Sequence, residues 1–166
     1  MREADVAIRM APPRQPEPPA GDPLSAGMWR CRRYPDFFES GWPGAGIYRS
    51  RDGGDTWEEL TEGLPEGDKG RIAVAVAPSR PNVVYAIVEA ETTALYRSDD
   101  LGGSWTELNS SFNVAARPFY FAYLVVDPLD HDRVYKPGFS LTISVDGGRS
   151  FSNMFTSGLG GNVHSD

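Results

Sequence analysis

The residues best suited to chemistry lie in one stretch, Tyr34-Pro35-Asp36-Phe37-Phe38-Glu39-Ser40-Gly41-Trp42, which sets two carboxylates among four rings. Such rings stack on sugar faces or on an aromatic peptide, or they pack over neighbouring structure, since aromatic side chains mostly serve burial. Glycoside hydrolysis needs two carboxyl groups about 5–10 Å apart, one with a raised pKa. Asp36, Glu39 and Asp166 are the candidates for that pair. Arg117, in Arg117-Pro118-Phe119-Tyr120, offers a guanidinium that grips a carboxylate through two parallel hydrogen bonds or pairs within the fold. His164, in His164-Ser165-Asp166, is either an acid–base or metal-binding group or a solvated one. Asp36, Trp42, Arg117, Tyr120 and His164 are therefore candidate binding residues, and no residue is assigned as catalytic.

Composition narrows the function classes. The chain has 166 residues, 40% hydrophobic and 23% charged, enough to form a packed core, and its formal net charge is −7. Nucleic-acid phosphates and anionic membranes need clustered Lys and Arg, so neither is an expected partner. The short run Arg30, Arg32, Arg33 reads as a solvated strand edge. Glu62, Glu66 and Asp68 lie among Gly63, Pro65 and Gly67 and read as an ordinary acidic turn. One cysteine, Cys31, forms no internal disulfide, and His131 and His164 match no zinc spacing, so neither metal nor cofactor is expected. His131, in Pro128-Leu129-Asp130-His131-Asp132, is expected in an exposed turn. No apolar run reaches the ~18–20 residues of a membrane span. The first residues, Met1-Arg2-Glu3-Ala4-Asp5, lack the positive-then-apolar pattern of a secretory signal.

A repeat organises the rest. Ser50-Arg51-Asp52-Gly53-Gly54-Asp55-Thr56-Trp57 returns as Ser98-Asp99-Asp100-Leu101-Gly102-Gly103-Ser104-Trp105 and as Ser144-Val145-Asp146-Gly147-Gly148-Arg149-Ser150-Phe151. The serines at 50, 98 and 144 give spacings of 48 and 46 residues. The flanks repeat too: Val74-Ala75-Val76-Ala77-Pro78 matches Leu124-Val125-Val126-Asp127-Pro128, and Val84-Tyr85 matches Val134-Tyr135. Each copy reads as a hairpin corner. The Asp carboxylate accepts backbone N–H groups two or three residues on, and Gly54, Gly102 and Gly148 supply positive φ. Trp57, Trp105 or Phe151 then buries its ring against the sheet. The structural reading accounts for every position of the motif, so these Asp residues are not assigned to metal or acid chemistry.

A period near 47 with short alternating runs predicts an all-β fold, a β-propeller of about three four-stranded blades that do not close. In the second repeat the strands are expected at 72–77, 83–89, 94–98 and 105–108, and in the third at 121–127, 133–136, 141–144 and 151–155. Val6, Ile8 and Met10 alternate as a strand A of the first blade, with 28–32 as its strand B. Residues 1–25 include a proline-rich irregular segment, and 26–166 form the partial propeller. Without sustained 3.6-residue periodicity, helix is expected to be negligible.

On these motifs the chain resembles the Asp-box, or bacterial neuraminidase repeat, propellers, including the sortilin-like and xyloglucanase-like bacterial proteins called glycosyl hydrolases. The resemblance rests on Gly46-Ile47-Tyr48-Arg49-Ser50, on Asn82-Val83-Val84-Tyr85-Ala86 and on Leu95-Tyr96-Arg97-Ser98 as well as on the corners themselves. It implies a secreted or periplasmic setting. It also implies that ligands meet the face opposite the corners, formed here by 34–44, 61–71, 90–93, 109–118 and 157–166. Three repeats fall below the 4–8 blades of most closed propellers. The expected partners are therefore the remaining blades of a longer parent or further copies of this chain, with polysaccharide or peptide as ligand. The leading expectation is a non-catalytic propeller segment of a larger binding or scaffold protein. The alternatives are a piece of a glycoside hydrolase and a sortilin-like peptide-binding propeller.

Overall fold

The computed structural model describes residues 6–8, 23–33, 36, 38–116, 122–138 and 140–153. Among them the strands form three four-stranded antiparallel sheets and one two-stranded hairpin. The first blade comprises β1 (Val6–Ile8) and β2 (Leu24–Trp29), then, after the side hairpin of β3 (Cys31–Arg33) and β4 (Phe38–Ser40), β5 (Gly46–Ser50) and β6 (Glu58–Leu60). The second is β7 (Ile72–Val76), β8 (Val84–Val88), β9 (Ala94–Ser98) and β10 (Thr106–Asn109). After α1 (Phe112–Ala115) comes the third: β11 (Val125–Val126), β12 (Val134–Lys136), β13 (Thr142–Ser144) and β14 (Ser152–Asn153). Within each blade the strands lie side by side in chain order.

Blade 2 is packed on both faces, which explains its near-continuous apolar strands. Val84, Ala86 and Val88 join Ile47, Leu60, Leu64 and Ile72 in a core shared with blade 1. Tyr85 and Ile87, from the opposite side of β8, join Leu124, Val126 and Val134 in a core shared with blade 3. Full burial of each such Val, Ile or Leu side chain stabilises by about 1.5–3 kcal/mol. The two seams therefore hold the blades in sequence.

The three corners have one geometry at equivalent places, between the third and fourth strands of each blade. Ser50 Oγ donates to Asp52 Oδ1 at 2.7 Å and accepts from Gly54 N at 2.8 Å. Ser98 does the same with Asp100 and Gly102, and Ser144 with Asp146 and Gly148. Each Asp accepts the backbone N–H and the hydroxyl of the residue four on: Thr56, Ser104 and Ser150. The hydroxyl and amide of the fourth residue on are thus the main donors, one residue beyond the two or three of an Asx-turn. Two successive positive-φ residues turn each corner, and in the second corner one of them is Leu101, at φ 61°.

Several boundaries differ from the sequence reading. Strand B of the first blade is Leu24–Trp29 rather than 28–32, and Cys31–Arg33 belongs to the side hairpin. Gly27 sits in that strand because blade 2 presses against it: a Cβ there would lie 2.9 Å from Ile72 Cγ2. In blade 3 the inner strand shortens to Val125–Val126. Among the described residues one helical turn is present, α1, whose Val114 is buried in the core between blades 2 and 3. Four residues are too few to print a helical period. Trp105 is buried as expected, whereas Trp57 is 44% exposed.

Candidate functional site

On the side opposite the corners, the β3–β4 hairpin and the residues after it fold toward blade 2. Trp42 N donates to Lys69 O, and Ser40 Oγ donates to Glu89 Oε2 at 2.8 Å. The same Glu89 oxygen accepts Arg71 N at 2.7 Å, while Gly70 N donates to the Glu89 carbonyl. Gly70 admits this approach, since a Cβ there would collide with both Glu89 and Ser40. The insertion is thus fastened to two ends of blade 2 strands by one carboxylate.

Two arginine–aromatic groups gather on this side. The Arg30 and Arg32 guanidiniums each lie 5.0 Å from the Trp42 ring centroid. Arg71, just before β7, lies 5.2 Å from the Trp29 ring and 5.0 Å from that of Tyr123, so one side chain at the start of blade 2 touches residues of blades 1 and 3. Such contacts contribute about 0.5–1 kcal/mol when exposed and about 2 or more when desolvated. Arg30 and Arg32 therefore stack on the Trp42 ring, and Arg32 stays exposed on the two-stranded hairpin. A groove of about 280 Å³ runs beside them, lined by Trp29, Arg30, Trp42 and Pro43 among others. A second groove, of about 490 Å³, lies between residues 63–66 and 90–92 and carries Glu66, Glu91 and Glu107. At its wall burial, then Glu107, pushes the Tyr96 hydroxyl up to about 12.

Of the residues singled out in the sequence, Trp42 lies in the first groove, and Asp36 is exposed in the turn between β3 and β4. Glu39 is exposed on β4, opposite Arg32 of β3. Arg117, Tyr120, His164 and Asp166 lie outside the described residues. His131 is half-buried rather than exposed, its carbonyl accepting the Tyr85 hydroxyl at 2.9 Å across the seam between blades 2 and 3. Trp29, Arg71, Glu89 and Tyr123 were not singled out in the sequence. Trp29, Arg71 and Glu89 flank strands at the end opposite the corners, and Tyr123 precedes β11, positions the repeat register marks without naming a role.

Every carboxyl group among the described residues whose pKa departs from its ordinary value departs downward. Hydrogen bonds from Thr56 and Ser50 lower that of Asp52, and those from Ser98 and Ser104 bring Asp100 to about 2. Burial opposes the shift at Asp146, but the Ser150 and Ser144 hydrogen bonds outweigh it. The Arg49 hydrogen bond lowers Glu58, and Arg97 lowers Asp99. The Leu129 amide lowers Asp127. At the seam between blades 2 and 3, burial lowers the pKa of Lys136, which is 2% exposed. Among the described residues no group of three or more His, Cys, Asp or Glu could hold a metal ion, and no helix is long and apolar enough to cross a membrane.

With this geometry the chain compares with known proteins as follows. A xyloglucanase of Hypocrea jecorina (strain QM6a) is 32% identical over 126 residues, 66% of this chain and 15% of that protein. The structure of the GH74 xyloglucanase of Xanthomonas campestris superposes with a TM-score of 0.52 at 25% identity, covering 76% of this chain and 19% of that one. The structure of YCF48 bound to D1 peptide gives 0.53 at 16% identity, covering 90% and 43%, and speaks for the fold alone. The fold is a β-propeller. No family model matches the chain. Its three blades span less than a fifth of the length of either xyloglucanase it is compared with.

Proposed function

We propose that this chain is a segment of an Asp-box propeller of the xyloglucanase-like kind, and that it binds a xyloglucan-type polysaccharide without supplying an acid–base pair. The observation that carries the reading is the 280 Å³ groove lined by Trp29, Trp42 and Arg30 on the side away from the corners. The indoles hold the arginines stacked on them, and a guanidinium with five N–H donors can give hydrogen bonds to sugar hydroxyls along the groove. The 32% identity to a xyloglucanase supports the choice of polysaccharide. The repeated Ser–Asp–Gly–aromatic corners support the Asp-box assignment, with Asp52, Asp100 and Asp146 as structural groups.

A glycosidic acid–base pair needs two carboxyl groups facing each other across a cleft, one with a raised pKa. No such pair is assigned here, and Asp52, Asp100 and Asp146 belong to the corners, where they accept hydrogen bonds within the turn. The alternative, that the chain contributes to the catalytic apparatus of a glycoside hydrolase, is favoured by the same identity to a xyloglucanase. A sortilin-like peptide-binding role rests on fold alone.

Native electrophoresis in gels containing xyloglucan tests the reading. The chain should be retarded, Trp42→Ala should lose most of the retardation, and Trp42→Phe should keep part of it. Release of reducing sugar by the chain would transfer the conclusion to the hydrolase alternative. Unretarded migration of folded wild-type protein would remove polysaccharide binding altogether.

A further inference from the structure

Glu89 stands where the other two repeats carry an aromatic residue. The β2–β5, β8–β9 and β12–β13 registers align Leu24, Val84 and Val134. Glu89 therefore takes the place of Trp29 in blade 1 and, in the sequence, of Phe139 in the third repeat. The strand itself has no need of a carboxylate there. What sets blade 2 apart is its neighbour: among the described residues, only blade 1 sends a side hairpin, β3–β4, toward the next sheet.

The carboxylate meets that hairpin. Glu89 Oε2 accepts the Arg71 amide at 2.7 Å and Ser40 Oγ at 2.8 Å. The first bond fixes the carboxylate against its own strand pair, where Glu89 N also donates to the Arg71 carbonyl. The second reaches a residue 49 positions earlier. Gly70 leaves room for the junction, since a Cβ there would collide with both Glu89 and Ser40.

From Ser40 the chain runs straight to the groove. Gly41, at φ 105°, turns it, and Trp42 N then donates to the Lys69 carbonyl at 3.3 Å. That bond is longer than the about 2.7–3.2 Å of a typical N–H···O contact. The Ser40–Glu89 bond, assisted by charge, is the stronger of the two attachments to blade 2. The Trp42 ring in turn carries the Arg30 and Arg32 guanidiniums, and with Arg30 it lines the 280 Å³ groove.

We propose that Glu89 is a positioning residue for ligand binding in the neighbouring blade. It acts through Ser40 to hold Trp42, and so to hold the guanidiniums that donate to ligand along the groove. This role rests on the groove being a polysaccharide site. It makes that site a joint property of two adjacent blades, although residues of blade 1 alone line it. Losing a hydrogen bond to a charged group should weaken whatever depends on it by about tenfold.

Two measurements on the full chain separate this role from the groove's own, with far-UV circular dichroism confirming that each variant folds. Hydrogen exchange at the Trp42 amide needs no ligand, and retardation in gels containing xyloglucan reads binding. Ser40→Ala and Glu89→Ala should each speed Trp42 exchange about tenfold, leave exchange in β5 unchanged and weaken retardation by a similar factor. Ser40→Thr and Glu89→Gln keep the donor and an acceptor oxygen, so both should retain most of the wild-type behaviour. The double alanine variant should be no worse than either single one, since each removes the same bond. Faster exchange with unweakened retardation would leave Glu89 without a part in binding and overturn the role. Unchanged exchange in both alanine variants, or no rescue by either conservative one, would overturn it equally. Unretarded wild type would end the polysaccharide reading, and ligand positioning with it, while exchange would still tell whether Glu89 holds Trp42.

Discussion

At the seam between blades 1 and 2, the cross-strand pair Ala86 and Tyr96 faces blade 1. At the seam between blades 2 and 3, the equivalent pair is Lys136 and Thr142. A small residue opposite a large one has become a large one opposite a small one, so the gap is filled either way. The filling differs in kind. The first seam is apolar around Trp105, Leu60 and Leu64. The second takes in a buried lysine, Thr142 donating to the Lys136 carbonyl, and the ion pair of Arg97 with Asp132 at 2.6 Å. The arginine position itself changes along the chain. Arg49 reaches the Leu101 carbonyl, Arg97 reaches Asp132 and Asp99, and the matching residue of blade 3 is Ile143. Equal corners therefore do not enforce equal interfaces: the corner fixes where the strands turn, and the seams vary independently.

The sharpest test of that contrast is Trp105→Ala, expected to cost about 3–5 kcal/mol in urea unfolding, the range for a large buried aromatic. Phe151→Ala, at the half-buried position of the second seam, should cost less than half as much. Similar losses would make the seams equivalent after all. Next comes Arg97→Ala, expected to cost about 1–2 kcal/mol, because it leaves Asp132 without its partner beside the Tyr85 hydroxyl. That cost should shrink in an Asp132→Asn background, and an unchanged cost would place Arg97's contribution elsewhere.

Lys136→Met should raise stability by about 1 kcal/mol at neutral pH, since a well-packed apolar chain replaces a desolvated charge. The sign with pH follows from burial. The folded-state pKa of Lys136 is lowered, so between that value and about 10.4 the unfolded chain binds more protons, and stability rises with pH across the window. The rise should disappear in Lys136→Met, and a rise that persists would assign it to another group. The smallest effect expected is at Leu101, which holds φ 61° where the other two corners have Gly53 and Gly147. Leu101→Gly should gain about 0.5–1 kcal/mol by relieving the left-handed conformation, as read by thermal unfolding. A loss would show that the leucine side chain holds the seam.

What the sequence made legible follows range. The corners were readable because serine, aspartate, glycine and aromatic act within eight consecutive positions. The strands of blade 2 were readable because burial on both faces demands unbroken apolar runs. Strand B of blade 1 was displaced because Ser25-Ala26-Gly27 carries little apolar signal, its small side chains being set by how near Ile72 comes. On the candidate face Trp42 stood out as a residue type, whereas Arg30, Arg32 and Lys69 became its partners only through the hairpin and the pairing between blades. Arg71 and Glu89 were silent for the same reason, since their contacts cross from one repeat to another. Lys136 was silent too, because an isolated lysine in a short strand reads as solvent-facing.

Because each corner's bonds close between residues at most four apart, forming one restricts little chain, and hairpins of this size form in about 1–10 μs. During synthesis, at about 5–20 residues per second, a corner can be complete long before the next blade has emerged. Three early clips would then set strand pairing in advance, and the slow stage left to the protein is the stacking of preformed sheets.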